Sequence, residues 1–157
     1  MKRILTIILC MIGINAIGQG IQSVSIGYTN NTIVGGQIEM NMKFDLFKSV
    51  FFMPSLASNL DDNVSVKIGV GAEVFNNSKV AIFAGLRSVY ENFDEEFSGA
   101  SQIAYNMELP VEVNFQINKR VYTYASVLPT YNTYAFKGDK ILVNWSLGIG
   151  FSFGEIE

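Results

Sequence analysis

From Gln37 to Leu46 polar and apolar side chains alternate without exception. Ile38, Met40, Met42, Phe44 and Leu46 fall on one face, and Gln37, Glu39, Asn41, Lys43 and Asp45 on the other. A period of two is the signature of a strand with unlike faces, and it is incompatible with an amphipathic helix. The pattern recurs over Val64–Val74, Lys79–Arg87, Ile103–Ile117 and Ile141–Phe153, and no stretch after residue 20 carries a helical period. With the less regular runs Ile21–Tyr28, Val50–Ala57 and Val121–Ala135, the chain offers eight strands separated by polar or glycine-rich breaks.

The breaks alternate in length. Phe47-Lys48, Asn76–Ser78 and Asn118–Arg120 are short, whereas Thr29–Gly36, Ser58–Asn63, Glu91–Gln102 and Phe136–Lys140 are mostly longer. In an up-and-down meander odd and even connections lie at opposite ends, so tight turns are expected at one end and loops at the other. The predicted fold is all-β, an eight-stranded antiparallel up-and-down transmembrane β-barrel over residues 19–157.

The distribution of charge orients the two faces. On the clearest strands Glu39, Lys43, Asp45, Lys67, Glu73, Lys79, Arg87, Glu108 and Glu112 all take the polar face, and none takes the apolar one. Gly69, Gly71, Gly85, Gly148 and Gly150 share the polar face, where they would weaken solvent-exposed strands but suit a lumen barely wide enough for side chains. The expected interior is therefore an ion-pair network of Glu39, Lys43, Lys67, Glu73, Arg87, Glu108 and Glu112, and the expected exterior is apolar. A fifteen-residue run, at about 3.3 Å per residue and a tilt near 40°, covers roughly 38 Å of barrel axis, more than an apolar band of about 25 Å requires. The tyrosines and Trp145, placed mostly toward strand ends, are expected to form interfacial girdles.

Lys2-Arg3, the apolar run Ile4–Ile14 and Ala16-Ile17-Gly18 together read as a secretory signal peptide, residues 1–18, cleaved before Gln19. The apolar run is too short for a membrane-spanning helix, which needs about 20 residues. Cleavage removes Cys10, the one cysteine, so no disulfide can hold the exported domain. The 157 residues include no histidine, which excludes imidazole-based triads and most catalytic zinc sites, and a net charge of −3 argues against nucleic-acid binding. Gly150-Phe151-Ser152-Phe153-Gly154 matches the G-x-S-x-G string but lacks both the strand-turn-helix context and a His partner. No enzyme activity and no cofactor are expected.

On this pattern the chain resembles the small eight-stranded outer-membrane barrels of Gram-negative bacteria, of the outer membrane protein A and X type. Trp145-x-Leu147-x-Ile149-x-Phe151-x-Phe153 looks like the last-strand signal that the barrel assembly machinery reads in that family, although here Gly154-Glu155-Ile156-Glu157 follows the aromatic. The resemblance implies outer-membrane localisation after export, with membrane lipid and the assembly machinery as partners. Pro110 and Pro129 are each expected to require a bulge, because a closed barrel has no edge to host a missing donor.

The functional expectation is a structural or surface-interaction barrel with a plugged lumen and activity in its long loops. Asp61 and Asp62 in one loop and Glu91, Asp94, Glu95 and Glu96 in another are the candidate interaction residues, suited to divalent cations or to other envelope proteins. Their spacing lacks the order of a calcium loop and specifies no metal. The alternatives are a narrow porin-like channel and a soluble secreted or periplasmic lipocalin-like barrel, in which the apolar face would point inward around an apolar ligand.

Overall fold

The computed structural model describes residues 20–32, 34–59, 63–94, 101–133 and 140–153, and for 92–94 and 101–104 the backbone alone. The predicted signal peptide and the tail after Phe153 lie outside that set. All regular elements among the described residues are strands: β1 (Ile21–Asn31), β2 (Gly35–Phe47), β3 (Val50–Phe52), β4 (Ser55–Ser58), β5 (Val64–Asn76), β6 (Val80–Asp94), β7 (Ser101–Glu108), β8 (Val111–Gln116), β9 (Val121–Asn132) and β10 (Ile141–Ser152).

These ten segments make eight staves. β3 and β4 both lie between β2 and β5, and β7 and β8 both lie between β6 and β9, so each couple is one interrupted stave. β1 pairs antiparallel with β10 from Ser23↔Ser152 to Asn30↔Trp145, which closes the sheet into an eight-stranded barrel with no free edge.

The interruptions fall at Met53-Pro54 and Leu109-Pro110. Contrary to expectation, neither Pro110 nor Pro129 produces a bulge. Glu108↔Thr130 and Val111↔Val127 share one register across the break, as do Arg87↔Glu108 and Ala84↔Val111 on the other side, and Pro129 stays paired with Val143. Leu109 N–H still donates to Pro129 O (2.8 Å) and Gly85 N–H to Pro110 O (3.0 Å), so each proline removes only its own donor, Pro129 on the β9 side of the interrupted stave and Pro110 on the β6 side, while its carbonyl stays bonded. Register does shift elsewhere, at Ile21/Ser23, Asp45/Phe47 and Glu73/Phe75.

The strands outrun the sequence pattern at the long-loop end. β1 and β2 approach to a connection of three residues, and β6 continues to Asp94 while β7 begins at Ser101. Beyond the apolar band both faces of a strand are polar, so the alternation vanishes while the hydrogen-bond ladder carries on.

The barrel is inside-out relative to a soluble one. Ile26, Val70, Leu86, Val111, Val127 and Leu147 are 44–53% exposed on the outer wall, whereas Glu39, Lys67 and Glu108 are 1–2% exposed within. The lipocalin-like arrangement, with the apolar face inward, is not the one adopted. Outward aromatics form two belts. Tyr28 with Trp145 (ring centroids 5.8 Å apart), Tyr90 with Tyr105 (5.3 Å) and Tyr131 ring the loop end, and Phe47, Phe75, Phe115, Phe151 and Phe153 ring the turn end. Along β6, Tyr90 is ten residues from Val80, the register partner of Phe115. That is roughly 33 Å of strand, or about 25 Å of axis at a tilt near 40°. Tyr122 and Tyr124 depart from the expected girdle: they face the lumen and are 3% exposed. Tyr134 lies outside the described residues.

Candidate functional site

The alternation that builds each stave aims its second-phase residues at the barrel axis, and at mid-height those residues are ionised. Lys67 of β5 donates to Glu39 Oε2 of β2 (2.9 Å) and to Glu108 Oε2 of β7 (3.4 Å). Arg87 of β6 donates through Nη1 to Glu39 Oε1 (3.3 Å) and through Nε (2.8 Å) and Nη2 to Glu108 Oε1. Two cations and two carboxylates thus form a closed, electrically neutral quartet, each member bonded to both opposite charges. Thr29 Oγ1 adds a hydrogen bond to Glu39 (2.6 Å), and Asn41 Oδ1 accepts from Arg87 (3.1 Å). Burial at this depth is tolerable only because every charge is paired and further hydrogen-bonded.

One layer toward the turns, Lys43 Nζ pairs with Glu112 Oε1 (2.6 Å) and stands 3.6 Å above the centroid of Phe83, whose ring meets Phe51 edge-on at 5.7 Å. One layer toward the loops, Glu91 accepts from Asn31 Nδ2 and from Asn106 Nδ2 (3.0 Å), and Gln37 donates to Ser65 (3.0 Å). Thr32 donates its backbone N–H and its hydroxyl to Asn144 Oδ1 (2.9 and 2.8 Å), stitching the first hairpin to β10.

Of the predicted network residues, Glu39, Lys67, Arg87 and Glu108 come together, and Lys43 with Glu112 forms a separate pair. Glu73 does not join them. It sits at the turn-end mouth, partly exposed, where its nearest polar partner is Asn76 Nδ2 (3.2 Å). Glu91, expected on a loop, is 2% exposed on the inner face of β6, opposite Ser65. Its place on the Arg87, Val89, Glu91 phase was a signal that could have found it. Asp61, Asp62, Glu95, Glu96 and the side chain of Asp94 lie outside the described residues. Ser152 continues β10, paired with Ser23, and forms no nucleophile elbow.

Sequence reasoning missed the aromatic part of the lumen. Phe51, Met53, Phe83, Val89, Tyr122, Tyr124 and Leu128 share the inner phase with the charges. The inward glycines make room for these side chains as much as for the ions. A Cβ on Gly150 would strike the Tyr122 ring, one on Gly148 would meet Tyr124, and one on Gly71 would meet Met53 Sδ. Among the described residues, no three His, Cys, Asp or Glu side chains converge as metal ligands.

No family model and no curated protein matches the sequence. Solved structures do match the fold. Neisserial surface protein A superposes with a TM-score of 0.56 at 14% identity, covering 87% of this chain and 99% of that one. Ail, the attachment invasion locus protein of Yersinia pestis, in complex with the heparin analogue sucrose octasulfate, gives 0.55 at 17%, covering 86% and 99%. The de novo designed protein TMB2.3 gives 0.56 at 12%, covering 87% and 97%. This chain has the fold of the small eight-stranded outer-membrane β-barrels.

Proposed function

We propose that the chain is an exported outer-membrane barrel without enzymatic activity, that its lumen is plugged, and that it works through the loops it presents at the membrane surface. The observation that carries this reading is the neutral Glu39–Lys67–Arg87–Glu108 quartet, whose members reach across the lumen from four different staves. Eight staves leave room for side chains and little else, so a bonded quartet at mid-height blocks a continuous water path. The apolar outer wall between two aromatic belts supports placement in lipid. The names of two fold relatives, an attachment invasion locus protein and a surface protein, support a surface role.

The surface chemistry differs from that of a polyanion receptor. Asp61, Asp62, Asp94, Glu95 and Glu96 make the long connections acidic, so their partners are divalent cations or basic patches on other envelope proteins, where the Ail complex holds a heparin analogue. Membrane lipid and the assembly machinery complete the partner set. Fractionation of the native host with a heat-modifiability gel, followed by planar-bilayer recording of the extracted protein, tests the reading. The expected result is an outer-membrane band that shifts on boiling and no steady conductance. Reproducible single-channel steps would replace the plug with a porin-like channel.

A further inference from the structure

The turn end of the barrel opens into a cup of about 540 Å³, within the size range of small-molecule sites. Phe51 and Phe83 line its inner end, with Lys43 standing over the Phe83 ring, and Tyr122 lines its side. Five carboxamides line it as well, Asn114 and Gln116 among them, together with the hydroxyls of Ser23 and Ser152. Asn114 is 7% exposed, and its Oδ1 is a buried acceptor with no hydrogen-bond partner. An orphan of that kind costs free energy unless something brings it a donor. Two carboxylates, Asp45 and Glu73, and two ammonium groups, Lys48 and Lys79, stand around the mouth, so the cup has no net charge.

We infer that this cup is a binding site for a neutral polyhydroxy ligand, a sugar or the end of a glycan. Carboxamides and hydroxyls both donate and accept, as sugar hydroxyls do, whereas a charged ligand would meet equal numbers of like and unlike groups. The nearly covered Phe51 and Phe83 rings (3% and 5% exposed) give the inner end an apolar floor for the C–H side of a pyranose ring, and a turn of the Asn114 carboxamide toward the cup brings its Oδ1 to a ligand hydroxyl. The site faces the side of the membrane opposite the long loops, so it is separate from the surface role proposed above.

The test uses the refolded chain in a zwitterionic detergent with no sugar headgroup. Maltose and N,N′-diacetylchitobiose are titrated against amide and side-chain resonances, with glycylglycine as a zwitterionic control. Saturable shifts at Asn114 and Phe83 with either sugar, and none with the dipeptide, are expected. Maltose alone would indicate a free sugar, and chitobiose alone an N-acetylated glycan end. Shifts with the dipeptide only, or with no probe, overturn the assignment. N114L removes the orphan acceptor and is expected to weaken binding about tenfold, equivalent to one hydrogen bond, without lowering the melting temperature. If N114L does not fold, intermolecular Overhauser contacts between sugar C–H and Phe51 or Phe83 ring protons decide the case, and their absence overturns it.

Discussion

Lys67 and Arg87 share both of their carboxylate partners: each donates to Glu39 and each donates to Glu108. A charge in such a square is never left alone by the loss of a single bond, but the loss of one member leaves two groups of like charge competing for one partner. The cluster therefore constrains β2, β5, β6 and β7 to one another at mid-height, where the outer wall meets only lipid and contributes no selectivity of register.

Replacing Glu108 by Ala strands half the positive charge of Lys67 and Arg87 in a buried site, which costs about 3–5 kcal/mol. The balanced double variant K67M/E108L removes one charge of each sign and leaves Arg87 paired with Glu39, so it is expected to be more stable than either single variant. Urea unfolding of the refolded barrel, followed by gel mobility, reads the difference. Equal stabilities for the double variant and E108A would show that the quartet is not energetically coupled.

Outward residues have the opposite rule. Leu86 lies four residues from Tyr90 on β6 and close to the middle of the apolar wall, and L86R is expected to cost about 2–4 kcal/mol in a bilayer. I117R, beyond the phenylalanine belt, should cost less than about 1 kcal/mol. Refolding into vesicles of both variants gives the depth profile, and equal costs would argue against a lipid-facing wall.

Much of this architecture was legible in the chain, because a period of two with all charges on one phase specifies both the strands and their orientation. The number of staves, the hairpin order and the partners Glu39, Lys67, Arg87 and Glu108 follow from it. Glu91 was legible only by extending the Arg87, Val89, Glu91 phase, since beyond Arg87 the outward Ser88 is polar, the inward Val89 is apolar, and the hydrophobic contrast disappears. Tyr122 and Tyr124 were misplaced for the converse reason: amphipathic rings on the polar phase look the same whether they fill a lumen or mark an interface. Pro110 and Pro129 failed to bulge because each removes one donor while its carbonyl stays bonded, Pro129 O to Leu109 N–H and Pro110 O to Gly85 N–H, so the two gaps fall on different seams and neither ladder slips, a relation that only the register reveals. The acidic candidates Asp61, Asp62, Glu95 and Glu96 lie outside the described residues, and Asp94 is described by its backbone alone, at the end of β6.

Gly150 offers a local check on how the lumen is filled. The three atoms nearest a Cβ there all belong to the Tyr122 side chain, whereas at Gly148 the nearest is the backbone oxygen of Ile26 on the neighbouring stave. G150A is expected to cost about 1–3 kcal/mol, and Y122L to suppress most of that cost. Gly148 should show no such rescue by Y124L, because backbone cannot move aside. A double-mutant cycle in urea measures both couplings, and a rescue of equal size at the two glycines would contradict the packing described.

On the proposed reading three layers stand in series along the axis, the Glu91 layer, the quartet, and the Lys43–Glu112 pair with Phe51 and Phe83, and such a lumen opens only when every layer is removed. Changing Glu39, Lys67, Arg87 and Glu108 together to Ser preserves net charge and removes long side chains, yet the Lys43 layer still closes the path. Changing Lys43, Phe83 and Glu112 to Ser leaves the quartet in place. Each set alone is expected to remain silent in planar bilayers, whereas the combined variant with Glu91 also changed to Ser passes ions in discrete steps, because the turn-end cup then becomes continuous with the loop end. If either set alone conducts as well as the combination, the lumen has a single barrier, and the set that conducts identifies which layer it is.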